Sequence, residues 1–134
     1  MVVCRKELRI LGKRLDQLME IVRNVESGEL PYFYRHLDTM SNNIDIFFFI
    51  DCIDVKSLCE ILWRDWNEAN FVLLGIQDYD LRRTKPDVEQ TVCVHFARLI
   101  GEVESFLLKC LENGRCLCLC SNDGLCSIHC TPVE

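Results

Sequence analysis

The pattern of apolar and polar residues begins with one long amphipathic segment. From Leu8 to Val25, leucines and valines follow one another at alternating spacings of three and four residues. This spacing places them on one face of a helix of about five turns, which Gly28 ends. Pro31 can open a second, short helix that reaches Met40.

Three later segments alternate between apolar and polar residues, which is typical of strands. They span residues 44–53, 70–79 and 88–96. In the first strand, Phe47 and Phe49 lie on the face that also carries aspartates, so we expect this face to be covered only at its centre. Gly75 stands within the second strand, where a bulge or a close backbone neighbour is expected.

Two further helices alternate with these strands. Residues 55–66 and 99–110 carry apolar side chains at helical spacing, and Asp54 is a suitable N-cap for the first of them. The order of elements predicts an α+β fold, with a small antiparallel or mixed sheet of three to four strands packed against helices. Because such a sheet leaves apolar surface uncovered, we expect a second subunit to cover it in a dimer.

Length and charge narrow the functional classes. A chain of 134 residues with 49% hydrophobic residues is long enough for one compact domain. Its net charge of −6 argues against a nucleic-acid-binding protein, which usually carries a basic surface. The most apolar run, residues 44–53, is short and contains two aspartates, so no membrane span is expected.

Cysteines divide the chain into two parts. Six of the ten lie in the last 25 residues, which predicts a single α+β domain over residues 1–111 and a cysteine-rich tail over residues 112–134. The first residues show no signal peptide, so we expect a reducing compartment with thiols or metal ligands. For the tail, a structural zinc site, reduced thiols and disulfides all stay open. The zinc ligands would come from Cys116, Cys118, Cys120, Cys126, His129 and Cys130.

No set of residues predicts catalysis. Cys93 and His95 are two positions apart on one predicted strand, but no acid orients them, so a packed or solvated pair is the better interpretation. The glycines are dispersed and form no phosphate-binding loop. A small thiol enzyme has only the abundance of cysteines in its favour, and we expect a protein that is not an enzyme.

Several positions carry a resemblance to a known family. The stretch Asp54-Val55-Lys56-Ser57-Leu58-Cys59 is followed by Asn70 and then by His95-Phe96. In these residues, and in a start of the form Met-x-x-Cys before a leucine-rich helix, the chain resembles the adenovirus early-region-four open-reading-frame-three proteins. From about residue 46 to residue 96 the two patterns align without a gap.

The resemblance implies a small α+β protein that dimerises and then polymerises into a scaffold in the host nucleus. There it would bind and mislocalise host proteins of nuclear bodies, of the DNA-damage response and of the transcriptional and antiviral responses. Asn70 falls where the family has its assembly asparagine, and the pattern adds Phe47 and Phe49 as self-assembly residues.

The chain also departs from this family. Thr91, Cys93 and Val94 stand where family members have Leu, Asp and Leu, and a helix and the cysteine-rich tail follow the last predicted strand. Dimer formation therefore carries over better than polymerisation or the choice of partner. The alternative function is a zinc-binding adaptor that docks on a host complex such as a ubiquitin ligase.

Overall fold

The part of the chain that the structure describes folds into helices. The computed structural model describes residues 5–49, 55–71 and 75–113, which contain helices and no strand. The helices are α1 (Arg5–Val25), α2 (Phe33–Phe49), α3 (Val55–Phe71), α4 (Leu81–Thr84) and α5 (Gln90–Asn113), with a 3-10 turn at Ile76–Asp78. The predicted α+β fold with its small sheet is therefore wrong.

The four long helices form a ring in which each helix packs against two neighbours: α1 against α2, α2 against α3, α3 against α5, and α5 against α1. Paired residues give the direction of each contact. Between α1 and α2, the guanidinium of Arg9 lies over the ring of Phe48, and Ser41 donates a hydrogen bond to Asp16. Because the partner number falls as the residue number rises, these two helices are antiparallel.

The same reasoning applies to α5, which is the neighbour of both α1 and α3. Trp66 donates a hydrogen bond to Glu104, and Cys59 is joined to Cys110, so α3 and α5 are antiparallel. Arg14 of α1 pairs with Glu102 of α5. Ile21 of α1 lines the same pocket as His95 of α5, so α1 and α5 are antiparallel too. Because α1 and α3 therefore share a direction, α2 is antiparallel to α3 as well. The described residues thus form an up-down-up-down four-helix bundle.

The core lies along the axis of the bundle and receives one apolar stripe from each long helix. In α1 this stripe is the predicted seam, which the structure confirms. Each side chain that is buried in this way stabilises the fold by about 1.5–3 kcal/mol relative to an exposed one. The fully buried members with the largest side chains include Leu8, Leu15, Leu18, Phe33, Leu37, Met40, Ile44, Leu62, Trp66 and Leu99.

The third predicted strand is wrong, and so is the first as far as residue 49, because their apolar residues also fit a helical period. Residues 50–53 of the first predicted strand lie outside the described residues. In α2, the buried residues Met40, Ile44 and Phe47 follow one another at spacings of four and three. In α5, Phe96 and Leu99 are buried three residues apart, while Val94 is exposed. Over a few residues, the apolar positions of a helical stripe can also alternate with polar positions, as they do in a strand. The β-branched and aromatic residues in these segments favoured the strand interpretation further.

The second predicted strand divides between other structures. Its start belongs to the last turn of α3, its end contains the 3-10 turn, and residues 72–74 lie outside the described residues. The close backbone neighbour that was predicted for Gly75 is present, however. A Cβ atom at this position would lie 2.9 Å from the carbonyl carbon of Asn70 and nearer still to its oxygen, so the chain requires glycine here.

The connection between α3 and α5 is held against the end of α1. Tyr79 donates a hydrogen bond from its hydroxyl to the carboxylate of Glu26, and Thr84 lies 3.4 Å from the same oxygen. Asp80 caps α4 by accepting a hydrogen bond from the backbone N–H of Arg82. These contacts close the bundle at the end where α1 and α3 finish.

Cys59 and Cys110 form a disulfide between α3 and α5, with their Cα atoms 5.9 Å apart. The sequence predicted thiols or metal ligands for these cysteines, because its first residues show no signal peptide. The two cysteines are 51 positions apart, and only the packing of two helices brings them together. Cys93 is the free cysteine among the residues whose side chains are described. None of the described helices is long and apolar enough to cross a membrane.

Candidate functional site

The predicted self-assembly residues of α2 lie in contrasting surroundings. Phe47 points into the bundle and is buried in the core, so its ring is already covered within one chain. Phe49 is 92% exposed, and Ile46, one turn before it, is 47% exposed. The outer face of α2 therefore ends in two neighbouring apolar side chains, of which one was predicted and the other was not.

Other exposed apolar residues lie at the same end of the bundle. Ile10 is near the start of α1 and Leu108 is near the finish of α5, and the antiparallel arrangement brings both to the level at which α2 ends. This end also carries the disulfide between α3 and α5. We call Ile46 and Phe49 the α2 apolar pair, and this end of the molecule the disulfide end.

Asn70 lies at the opposite end. It stands in the last turn of α3, roughly 20 Å along the bundle from the start of that helix, at about 1.5 Å per residue. Its side-chain N–H group donates to the carbonyl of Trp66, and its Oδ1 is shielded without a hydrogen-bond partner among the described residues. The structure thus places Asn70 at a helix end and far from Phe49, and its predicted role in assembly stays a prediction.

Cys93 and His95 do not form a reactive pair. Both lie in α5, where residues two apart project in nearly opposite directions. The Nδ1 atom of His95 is 2.7 Å from the guanidinium of Arg98. In a strand, both residues would share one face, and even so no catalytic dyad is expected. In the helix, the nearly opposite directions of the two side chains give a geometric reason for the same expectation.

The predicted zinc ligands of the tail lie outside the described residues. These are Cys116, Cys118, Cys120, Cys126, His129 and Cys130. The zinc site, the reduced thiols and the tail disulfides all stay predictions, as does the adaptor function that depends on the first of them.

The structure brings together three polar side chains that the sequence did not connect. His36 of α2 faces Asp65 and Glu68, which are one turn apart on α3. Its Nδ1 atom lies 4.0 Å from Oδ1 of Asp65 and 3.5 Å from Oε2 of Glu68. One ligand-type atom from each residue lies within 4.8 Å of the others, and we call these residues the His36 cluster.

Burial differs among the members of the His36 cluster. The side chains of His36 and Asp65 are only 17% and 12% exposed, whereas Glu68 is 56% exposed. The ring of Tyr32 lies beside that of His36, with 5.8 Å between the centroids. Two members are thus shielded between α2 and α3, and the third borders on water.

Asp65 is the electrostatically unusual member of this cluster. Burial raises the pKa of its carboxyl above the ordinary value, while the nearby His36 and Arg64 oppose that rise and Glu68 adds to it. This carboxylate lies 4.0 Å from the ring nitrogen of His36, which is too far for a normal hydrogen bond. Its charge is therefore incompletely compensated by the protein.

Comparison of the chain with protein-family models, with curated proteins and with solved structures gives no match. Only the structure therefore defines the class of this protein. The described residues form an antiparallel four-helix bundle with a disulfide between α3 and α5. Bundles of this architecture serve many unrelated functions, so the function must be argued from the surface and from the polar clusters.

The His36 cluster left little signal in the sequence. Asp65 and Glu68 have the three-residue spacing that places two carboxylates on one helical face, and this spacing is the one signal of the cluster in the sequence. His36 had only Asp38 as a sequence neighbour of opposite charge, and nothing in the pattern of residues 30–40 indicates which helix it faces. Only the packing of α2 on α3 supplies this information.

Proposed function

We propose that the protein is an interaction module that pairs with a second copy of itself through the α2 apolar pair. The observation that carries the proposal is the exposure of Phe49, which at 92% is nearly complete for a side chain that favours burial. Ile46 lies beside it on the same helical face. A twofold contact would place this pair against its own copy, so that each Phe49 covers apolar surface of the partner.

The size of this surface decides how strong the association is. Two nearly fully exposed phenylalanines contribute about 1.5–3 kcal/mol each on burial, and two half-buried isoleucines about half as much each, which gives roughly 4.5–9 kcal/mol before costs. Association itself costs about 4–15 kcal/mol. We therefore expect a dissociation constant in the high micromolar range or weaker. A weak contact of this kind suits binding that depends on several copies acting together.

The fold changes the reason for expecting association. The original reason was a sheet left partly uncovered, and the described residues contain no sheet. The resemblance implied a polymer and a nuclear role for an α+β protein, and the described residues contain no strand, so the proposal goes only as far as pairing. Polymerisation stays a prediction of the resemblance. The host nucleus and host proteins as partners stay predictions of the resemblance.

Sedimentation equilibrium over a range of about 10 μM to 1 mM, which spans the expected dissociation constant, tests the proposal. We expect a monomer–dimer equilibrium for the natural chain and a shift towards monomer for Phe49→Ser. Val94→Thr is the matched control, since Val94 is an exposed apolar residue of α5 at the opposite end of the bundle. The measurement is made without reductant, so that the disulfide is kept.

Two results would count against pairing through this surface. One is a strict monomer at the highest concentration. The other is an equal weakening of dimerisation by Phe49→Ser and Val94→Thr. If both substitutions weaken it equally, the α2 apolar pair is not identified as the contact.

A further inference from the structure

We propose that the His36 cluster is a binding site for one divalent metal ion, held by the imidazole of His36 and the carboxylates of Asp65 and Glu68. The inference is independent of self-association, because His36 lies near the start of α2, at the opposite end of this helix from the α2 apolar pair. It also differs from the predicted zinc site of the tail, with which it shares no residue.

The distances within the cluster fit a shared ion better than direct hydrogen bonds. An N–H group and a carboxylate that bond directly lie about 2.9 Å apart. Ligands about 2.1 Å from a common ion lie roughly 3.0–3.4 Å from one another in tetrahedral or octahedral geometry. The observed separations of 3.5 and 4.0 Å exceed the first value and approach the second, so small rotations of the side chains would complete the shell.

The surroundings supply the second argument. Asp65 is buried, and a shielded carboxylate is costly unless opposite charge compensates it. An imidazole 4.0 Å away compensates it only in part. A divalent ion would neutralise both carboxylates at once and would satisfy the ring nitrogen that faces them. Glu68, on the solvent side, provides the route by which an ion enters.

The donor set limits which ions fit. One imidazole and two carboxylates are ligands for zinc, manganese and similar ions, and three protein ligands leave coordination positions for water. The cluster lies between two facing helices, α2 and α3, and the metal sites of other helical bundles are also built from carboxylates and histidines on facing helices. Two ligands from α3 and one from α2 would also tie these helices together.

Manganese is the probe of choice, because the cysteines of the tail compete for zinc but thiolates are poor ligands for manganese. The full chain, with its disulfide intact, is titrated with Mn²⁺, and the free ion is followed by electron paramagnetic resonance. We expect saturable binding of one ion per chain. We also expect Mn²⁺ to raise the thermal unfolding temperature, since binding to the folded state alone stabilises it.

Two variants and one control decide where the ion binds. Glu68→Gln and His36→Gln should each weaken binding at least about tenfold, a loss that even the outer partners of a metal ligand can cause. Glu60→Gln removes an exposed carboxylate from the same helix and should leave the affinity unchanged. Circular dichroism checks that each variant is folded, and Glu68 is exposed enough for its substitution to be tolerated.

The inference is overturned if binding does not saturate, or if Glu68→Gln retains the affinity of the natural chain. It is also overturned if Glu60→Gln weakens binding as much as Glu68→Gln, because a general effect of charge would then explain the result.

Discussion

Gly75→Ala tests the close approach of the backbone between α3 and the 3-10 turn. Gly75 has φ −74° and ψ 162°, an extended conformation that alanine adopts without strain. On this ground alone, alanine would stabilise the protein by about 0.4–1 kcal/mol, since it reduces the freedom of the unfolded chain. The added Cβ atom, however, would lie 2.9 Å from the carbonyl carbon of Asn70 and nearer to its oxygen.

The steric term decides the sign, because the obstacle is backbone at the end of a packed helix and not the tip of a flexible side chain. Overpacking of this kind costs typically about 1–3 kcal/mol. After the gain from the unfolded state is subtracted, we expect Gly75→Ala to lower the free energy of unfolding by about 1–2 kcal/mol.

Gly101→Ala is the matched control. Gly101 lies within α5, and a Cβ atom there meets nothing within 4 Å. Because glycine in a helix interior is about 0.8–1.0 kcal/mol less favourable than alanine, this substitution should stabilise the protein. Urea unfolding, followed by the fluorescence of the buried Trp66, measures both variants. If Gly75→Ala proves as stable as the natural chain while Gly101→Ala behaves as expected, the close approach is not there.

Two further predictions concern buried polar groups. Burial raises the pKa of Asp65, so the folded carboxyl keeps its proton to a higher pH than the unfolded carboxyl, whose pKa is near 3.8. The free energy of unfolding therefore falls as the pH rises from about 3.8 through the raised pKa. In the absence of metal, the stability of Asp65→Asn relative to the natural chain should therefore be greater at neutral pH than at pH 3.8. His36, Arg64 and Glu68 also face this position. A difference in urea midpoints that does not change with pH would contradict the prediction. Tyr79→Phe removes the hydroxyl that donates to Glu26, and we expect the unfolding free energy to fall by about 1.5–3 kcal/mol, the value of a hydrogen bond to a charged group. Tyr32→Phe, at an exposed tyrosine, should change it by less than about 0.5 kcal/mol in the same urea experiment, and equal effects of the two substitutions would refute the role of the Tyr79 contact.

The elements predicted correctly from the sequence are those whose periodic pattern extends over several turns. In α1, the seam from Leu8 to Val25 repeats often enough to exclude a strand, and every seam position is buried. The helix predicted from residue 55 is α3, and the helix predicted from Leu99 is the second half of α5. These elements were correct because a stripe at spacings of three and four over several turns fits only one backbone geometry.

The errors occurred where the windows were short. From Ile44 to Phe49 the chain contains isoleucine and phenylalanine at almost every position, so that periods of 2 and 3.6 both find apolar residues. β-Branched and aromatic composition then favoured a strand. Burial of Phe47 beside exposure of Phe49 separates the two possibilities, since in a strand these residues would share a face.

The sequence by itself determined the apolar stripe of α1, the helical identity of α3, and the close backbone neighbour of Gly75. Only the tertiary structure decided that residues 44–49 and 90–96 are helical, that Cys59 meets Cys110, and that His36 faces Asp65 and Glu68. The physical reason is the range of the interactions. Periodicity and backbone crowding act between near neighbours in the chain, whereas the pairing of helix faces depends on how four stripes fill one core, and no local pattern encodes that choice.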